Sequence, residues 1–257
     1  MSVKKYINYL RWRIDDKLWK SISRMLLYLY GDIDKKIIVD KRLQILDIIK
    51  SPGPNPTGLT WDGKFLYHCD AFTSMLYVMD ANGNIVETYK LPLTHPWGLT
   101  HDGKYFWISD DFTHEVHQIK VDKNSQTVKI IRTFNFPRTD IHGLTWDSRH
   151  LIAVERLRGK LLYIDIKSGK IKKTYSIPTF EGGGVDYNGH LCLVSDSTGG
   201  LVKTFVYLIN LDGQILDKFS LMKVHPHDIA FVDDNTLYIS LRNIKSICKL
   251  KIKFGDR

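Results

Sequence analysis

One phrase recurs along the chain with its spacing nearly kept. Gly-Leu-Thr-x-Asp stands at Gly58, Gly98 and Gly143, inside "NPTGLTWDGKFLYHCDA", "HPWGLTHDGKYFWISDD" and "DIHGLTWDSRHLIAVER". Weaker copies put Gly184 and Asp228 at the same point, in "EGGGVDYNGHLCLVSDS" and "HPHDIAFVDDNTLYISLRN". The copies follow one another every 40 to 45 residues. A unit that short cannot bury its apolar surface alone and must stack on its neighbours. A period of this length with four strands per copy is the pattern of a β-propeller blade.

The first copy shows the four strands. "TGLTW" and "FLYHC" flank the tight turn "DGK", then "MLYVMD" and "IVETYKLP" flank "ANGN". Asn-Gly and Asp-Gly pairs favour two-residue hairpins, and the last run alternates apolar with polar residues. The fifth copy has no fourth strand after "ICKLKIKF", whereas "RLQILDIIKSPG", residues 42 to 53, matches that strand and precedes the first copy. The expected fold is therefore all-β: a five-bladed β-propeller over residues 37–257, its last blade completed by an N-terminal strand. Such closure removes the free sheet edges that invite aggregation.

The phrase is held while its lead-in varies. Glycine suits inner strands crowding the axis, leucine the core between blades, and aspartate the hairpin. The lead-in residues ring the mouth of the central channel, where function is grafted onto a repeated scaffold. Three positions before the aligned residue the ring reads Asn55, His95, Asp140, Glu181 and His225. One position before, it reads Thr57, Trp97, His142, Gly183 and His227. The second strands end in Asp70, Asp110, Glu155, Asp196 and Arg242. Convergent His, Asp, Glu and Asn compose a metal or acid–base site, although aspartates at strand ends also cap turns for purely structural reasons.

These residues are assigned roles as follows. His142, His227 and Glu181 are the candidate acid–base groups. Trp97, Asn55, Asp110, Glu155, Asp196 and Arg242 are the candidate ligand contacts. His95, Asp140 and His225 are the candidate ligands of a divalent cation, calcium or zinc, although no compact motif such as H-E-x-x-H is present.

Residues 1–36 follow a different rule. Ile7, Leu10, Ile14, Leu18, Ile22, Met25 and Leu29 recur at three- and four-residue steps, one face of an α-helix. Nine Lys or Arg oppose four acids in this arm, a large share of the net charge of +9. The expectation is a basic amphipathic helix over residues 4 to 30. It packs on the propeller, lies on a membrane surface, or binds a partner helix. No basic stripe runs along the propeller body, which argues against nucleic-acid binding. Cys69, Cys192 and Cys248 are far apart and odd in number, and no signal-peptide pattern precedes them. Reduced thiols and a cytoplasmic protein, peripheral to a membrane if the arm attaches there, are expected.

The stretch "PWGLTHDGKYFWISDD" resembles the "GWGLT-DG…SD" segment of the glutamine cyclotransferase family, five-bladed propeller enzymes that form pyroglutamate. The match covers Trp97-Gly98-Leu99-Thr100, Asp102-Gly103 and Ser109-Asp110. It implies that Trp97 lines a substrate pocket. The family's F-T-Q-G-L and E-G-[IL] segments have no counterpart, since Thr57 and Gly183 stand there, and Ile141-His142-Gly143-Leu144 most nearly answers its N-E-L. More loosely, the chain resembles strictosidine-synthase-like, gluconolactonase-like and NHL-repeat propellers. Two functions follow as expectations. One is a small-molecule site with hydrolase, lactonase or cyclotransferase chemistry at the mouth. The other is a non-enzymatic binding platform tethered through the arm.

Overall fold

In a computed structural model, residues 37–198 and 203–253 are described. The helix expected over residues 4 to 30 lies outside them. Five antiparallel sheets surround one axis. Their inner strands are Pro56–Trp61, Pro96–His101, Ile141–Trp146, Gly182–Tyr187 and Pro226–Phe231. The second strands are Leu66–Asp70, Phe106–Asp110, His150–Glu155, Cys192–Asp196 and Thr236–Leu241. Inner and second strands are almost wholly buried, because neighbouring blades cover both their faces; Ile171–Ser176, an outermost strand, is mostly exposed. Among the described residues, no helix is long and apolar enough to cross a membrane.

The ring closes as the repeat requires. Leu43–Lys50 pairs with Ser246–Ile252, from Leu43 opposite Ile252 to Lys50 opposite Ser246. One addition carries no signal in the sequence. Ile38–Val39 pairs with Leu221 and Met222 at the outer edge of the fourth blade, making it five-stranded. Arg42 fixes the crossing from the fourth blade to the fifth, with Nη1 2.6 Å from Asp217 Oδ2 and Nε 3.1 Å from Asp40 Oδ1.

Hydrogen bonds around the axis explain the conserved look of the repeat within this chain. Ser109 Oγ accepts from Gly98 N and donates to His142 O of the next blade. Ser195 does the same between Gly184 N and His227 O. Ser240 bridges Asp228 N and Thr57 O, joining the last blade to the first. The glycines are required by close approach: a Cβ on Gly98 would come within 2.0 Å of His142 O. Asp228 stands where the other blades carry glycine, and its carboxylate accepts Ile229 N and, from the first blade, Leu59 N. A Cβ on Gly184 would collide with that carboxylate at 2.0 Å. Neighbouring inner strands are therefore in direct contact at this level.

Candidate functional site

The five lead-in segments meet at one end of the channel, each tied to its second strand by one repeated backbone bond. Ala71 N donates to Asn55 O, Asp111 N to His95 O, Arg156 N to Asp140 O, Ser197 N to Glu181 O and Arg242 N to His225 O. This register corrects the sequence alignment. Leu241, not Arg242, is the equivalent of Asp70, Asp110, Glu155 and Asp196. Arg242 belongs to the next ring, with Ala71, Asp111, Arg156 and Ser197. The blades thus offer paired side chains to the mouth: His95 with Asp111, and Asp140 with Arg156.

The strand-ending aspartates are clamps. Asp110 Oδ2 accepts Thr94 N and His95 N, while Oδ1 accepts Phe112 N and Thr113 N. Asp70 holds Asn55 N, Phe72 N and Thr73 N in the same way. Asp196 Oδ1 accepts Glu181 N and Thr198 N. These carboxylates, Asp110 and Asp196 among the expected ligand contacts, set the shape of the mouth. Glu155 is buried and pairs with Arg158 Nη1 at 2.9 Å; burial raises its carboxyl above the usual range.

Trp97 is a plug, not the expected pocket wall. It is 4% exposed. Its ring lies 4.9 Å from His95, 4.7 Å from His142 and 4.4 Å from His227 between centroids, and the Arg242 guanidinium sits 5.3 Å above it. His142 and His227 therefore occupy the same end of the channel, 6.1 Å apart between ring centres. Burial pushes His227 well below its ordinary pKa, and its neighbours His142, Arg242 and His225 add to the shift. It is neutral, and its Nδ1 is buried with no hydrogen-bond partner among the described residues. Asn55 Nδ2 and His142 Nε2 are in the same condition.

Asp111 was not singled out in the sequence, and it organises the mouth. His95 Nδ1 lies 2.5 Å from its Oδ1, and His142 Nε2 faces its Oδ2 at 3.6 Å. Asp140 Oδ1 lies 3.5 Å from His142 Nε2, and Asp140 Oδ2 receives Arg156 Nη2 at 2.7 Å and Nε at 2.9 Å. Burial alone would raise the Asp111 carboxyl, but His142 and His95 beside it hold it well below the carboxylate range. Burial opposes ionisation of Asp140 too, yet His142 and Arg156 bring it down to about 2. Both are anions at neutral pH.

Asp111, Asp140 and His142 each bring one potential metal-ligand atom within 4.8 Å of the others. This differs from the expected set of His95, Asp140 and His225, because His95 is engaged by Asp111. His142 does not fit a cation. Trp97 Nε1 lies 2.6 Å from His142 Nδ1, and an indole nitrogen can only donate. Nδ1 must accept, so the ring proton sits on Nε2, the very atom that would ligate. The same hydrogen bond corrects the general-base role expected of His142, since neither ring nitrogen offers a free lone pair. Glu181 and His225 are half-buried on the lead-ins of the fourth and fifth blades.

Fold and mouth together define a five-bladed propeller with a histidine- and aspartate-lined channel opening. Among solved structures, glutaminyl cyclase from Myxococcus xanthus matches with a TM-score of 0.68 at 10% identity, over 83% of this chain and 97% of that one. Hydrazine synthase from Kuenenia stuttgartiensis matches at 0.50 and 14% identity, over 75% of this chain and 57% of that one. A streptogramin B lyase matches at 0.48 and 20% identity, over 77% and 65%. No protein-family model and no curated protein matches the sequence. The likeness to glutaminyl cyclase is one of fold, and the residues behind the sequence resemblance show why. Gly98 has no room for a side chain, Ser109 staples two blades, and Asp110 clamps a loop. The resemblance is carried by scaffold residues.

Proposed function

We propose that the mouth binds a small polar molecule and performs acid–base chemistry on it, with His95 as general base and Asp111 as its orienting carboxylate. The observation that carries this is the dyad itself. The short Nδ1 contact to Asp111 fixes the imidazole, and His95 Nε2 makes no hydrogen bond among the described residues. The His95 side chain is 26% exposed, whereas His142 and His227 are buried. A carboxylate that orients Nδ1–H leaves Nε2 as a proton acceptor facing the substrate. The unsatisfied His227 Nδ1 and Asn55 Nδ2 support a polar ligand, since each costs about 1–3 kcal/mol if left unmet.

Hydrolysis and intramolecular cyclotransfer both need such a group, to take a proton from the attacking atom and return it to the leaving one. A calcium or zinc ion here would rest on Asp111 and Asp140 alone, unless the Trp97 hydrogen bond broke. No step is assigned to one. The test is turnover of a panel of N-terminal glutaminyl peptides, lactones and carboxyl esters. A substrate whose turnover falls at least about 100-fold in His95→Ala and Asp111→Asn, with melting temperature kept, supports the proposal. Turnover indifferent to both variants overturns it.

A second reading has one specific observation in its favour. Phe72 and Phe112 are 66% and 72% exposed, and the Phe72 ring lies 6.3 Å from His95. Two apolar rings on the rim suit peptide docking without chemistry, and saturable binding of a panel member without turnover would select that reading. Attachment of the basic arm to an anionic membrane or a partner helix is proposed separately, and liposome sedimentation at low and high salt tests it.

A further inference from the structure

A depression of about 380 Å³ lies at the opposite end of the channel, where the inner strands finish. That volume is in the range of small-molecule pockets. Its distance from the mouth is the length of a six-residue strand, roughly 17 Å. Nothing in the proposed chemistry uses it.

Its lining has a one-sided character. Thr60, Thr100 and Asp186 hold equivalent places, next to last in three inner strands, and all three line the depression. Asp186 is anchored, with Thr145 Oγ1 donating to Oδ1 and Phe231 N to Oδ2, both at 2.7 Å. Thr60 and Thr100 are only 7% and 3% exposed, and neither hydroxyl makes a hydrogen bond among the described residues. Neither hydroxyl oxygen is among the fully buried unpartnered atoms, so both are open to the depression. Trp61, Trp146 and Tyr187, the last residues of their strands, form walls, and Asp233 and Asp234 form the rim. Among the described residues, no Lys or Arg lines the depression, in a chain of net charge +9. His101 is held below its ordinary pKa by burial and adds no positive charge at neutral pH.

We propose that this depression binds a small organic cation carrying a primary ammonium group. Three N–H donors match three acceptors: the Thr60 and Thr100 hydroxyls and a free lone pair of the Asp186 carboxylate. The aromatic walls cover an alkyl stem, and the Asp233–Asp234 rim receives a second amine. Anionic ligands are disfavoured, because no cationic side chain of the described residues meets them. Burial lifts the Asp186 carboxyl to about 6, and a bound ammonium would supply an ion pair that the described residues do not.

The test is a titration of the full-length protein with 1,4-diaminobutane, followed by calorimetry and by the indole N–H signals of the tryptophans. 1,4-Butanediol, succinate and calcium chloride serve as controls. The expected result is saturable binding that shifts Trp61 and Trp146 and leaves Trp97 unmoved. The diol should bind at least tenfold more weakly and succinate not at all. Asp186→Asn should weaken diamine binding at least tenfold. Should that variant fold poorly, Asp234→Asn, on the exposed rim, carries the test with a several-fold loss. Absence of saturable shifts, equal binding of the diol, or shifts confined to Trp97 would overturn the proposal. The last outcome would place the cation on Asp111 and Asp140 at the mouth. Displacement of the diamine by calcium would also overturn it, by making the site one for an inorganic ion. None of these readouts depends on turnover at the mouth.

Discussion

Closure of the ring by an early strand makes a quantitative demand on one side chain. Leu43 is 7% exposed and packs in a cluster with Leu250, Ile252, Val206 and Phe219, from the fourth and fifth blades. Leu43→Ala removes packing from the only covalent start of that strand. Large-to-small changes in such surroundings cost about 2–5 kcal/mol. For a protein of this size about 2–4 °C is lost per kcal/mol, so the melting temperature should fall by about 10 °C. Ile49, 8% exposed in a different cluster, should behave alike. The two sites are far enough apart to add, and the double variant should approach the whole stability of a typical domain, about 5–15 kcal/mol. Leu46 and Ile48 are the controls. They sit in the same strand but are 44% and 48% exposed, and alanine there should cost under about 0.5 kcal/mol. Urea unfolding followed by circular dichroism measures all four. The reasoning fails if Leu43→Ala unfolds with the wild-type midpoint, or if Leu46→Ala costs as much as Leu43→Ala.

Removing the indole hydrogen bond should change the metal chemistry of the mouth: Trp97→Phe frees His142 Nδ1, lets the ring take its other tautomer, and should create zinc affinity that the further change His142→Ala abolishes, by calorimetry. Ser240→Ala strips a partner from Asp228 N and Thr57 O, and should cost about 1–3 kcal/mol in urea unfolding. The pH dependence of Asp186 has a fixed sign. Burial raises its carboxyl from 3.8 to about 6, so between those values the folded state holds a proton that the unfolded chain has released. Its contribution to stability therefore falls as pH rises through that window. His68, which burial lowers to about 4, acts in the opposite sense there, so the comparison must be between Asp186→Asn and wild type. The difference should move in the variant's favour from pH 4 to 6, and a constant difference would contradict the assignment.

The architecture was legible because closure and repetition write themselves into spacing. The aligned Gly-Leu-Thr placed five inner strands, and the match of residues 42 to 53 to an outer strand placed the closing one. The lead-in rings were legible for the same reason, which is why His142 and His227 could be expected together across the channel. Roles were less legible, because they depend on hydrogen-bond direction. Trp97 looks like a pocket residue until its N–H is seen to end on His142. Asp110 and Asp111 are neighbours of one type, yet one faces backbone amides and the other two imidazoles. The repeated backbone bond that separates them is invisible in residue types, and a one-residue slip in the fifth blade hid the ring to which Asp111 belongs. The pairing of Ile38–Val39 with the fourth blade had no signal either, since two residues carry no period.

The mouth account rests on where two protons sit, and long-range nitrogen–proton correlation of the histidine rings measures that directly. His142 should carry its proton on Nε2 with Nδ1 bare, locked by Trp97. His95 should carry its proton on Nδ1 toward Asp111 with Nε2 bare toward the ligand. A His142 protonated on Nδ1, or a neutral His95 protonated on Nε2, would contradict the account, since the first reopens the cation site and the second leaves the dyad without a base.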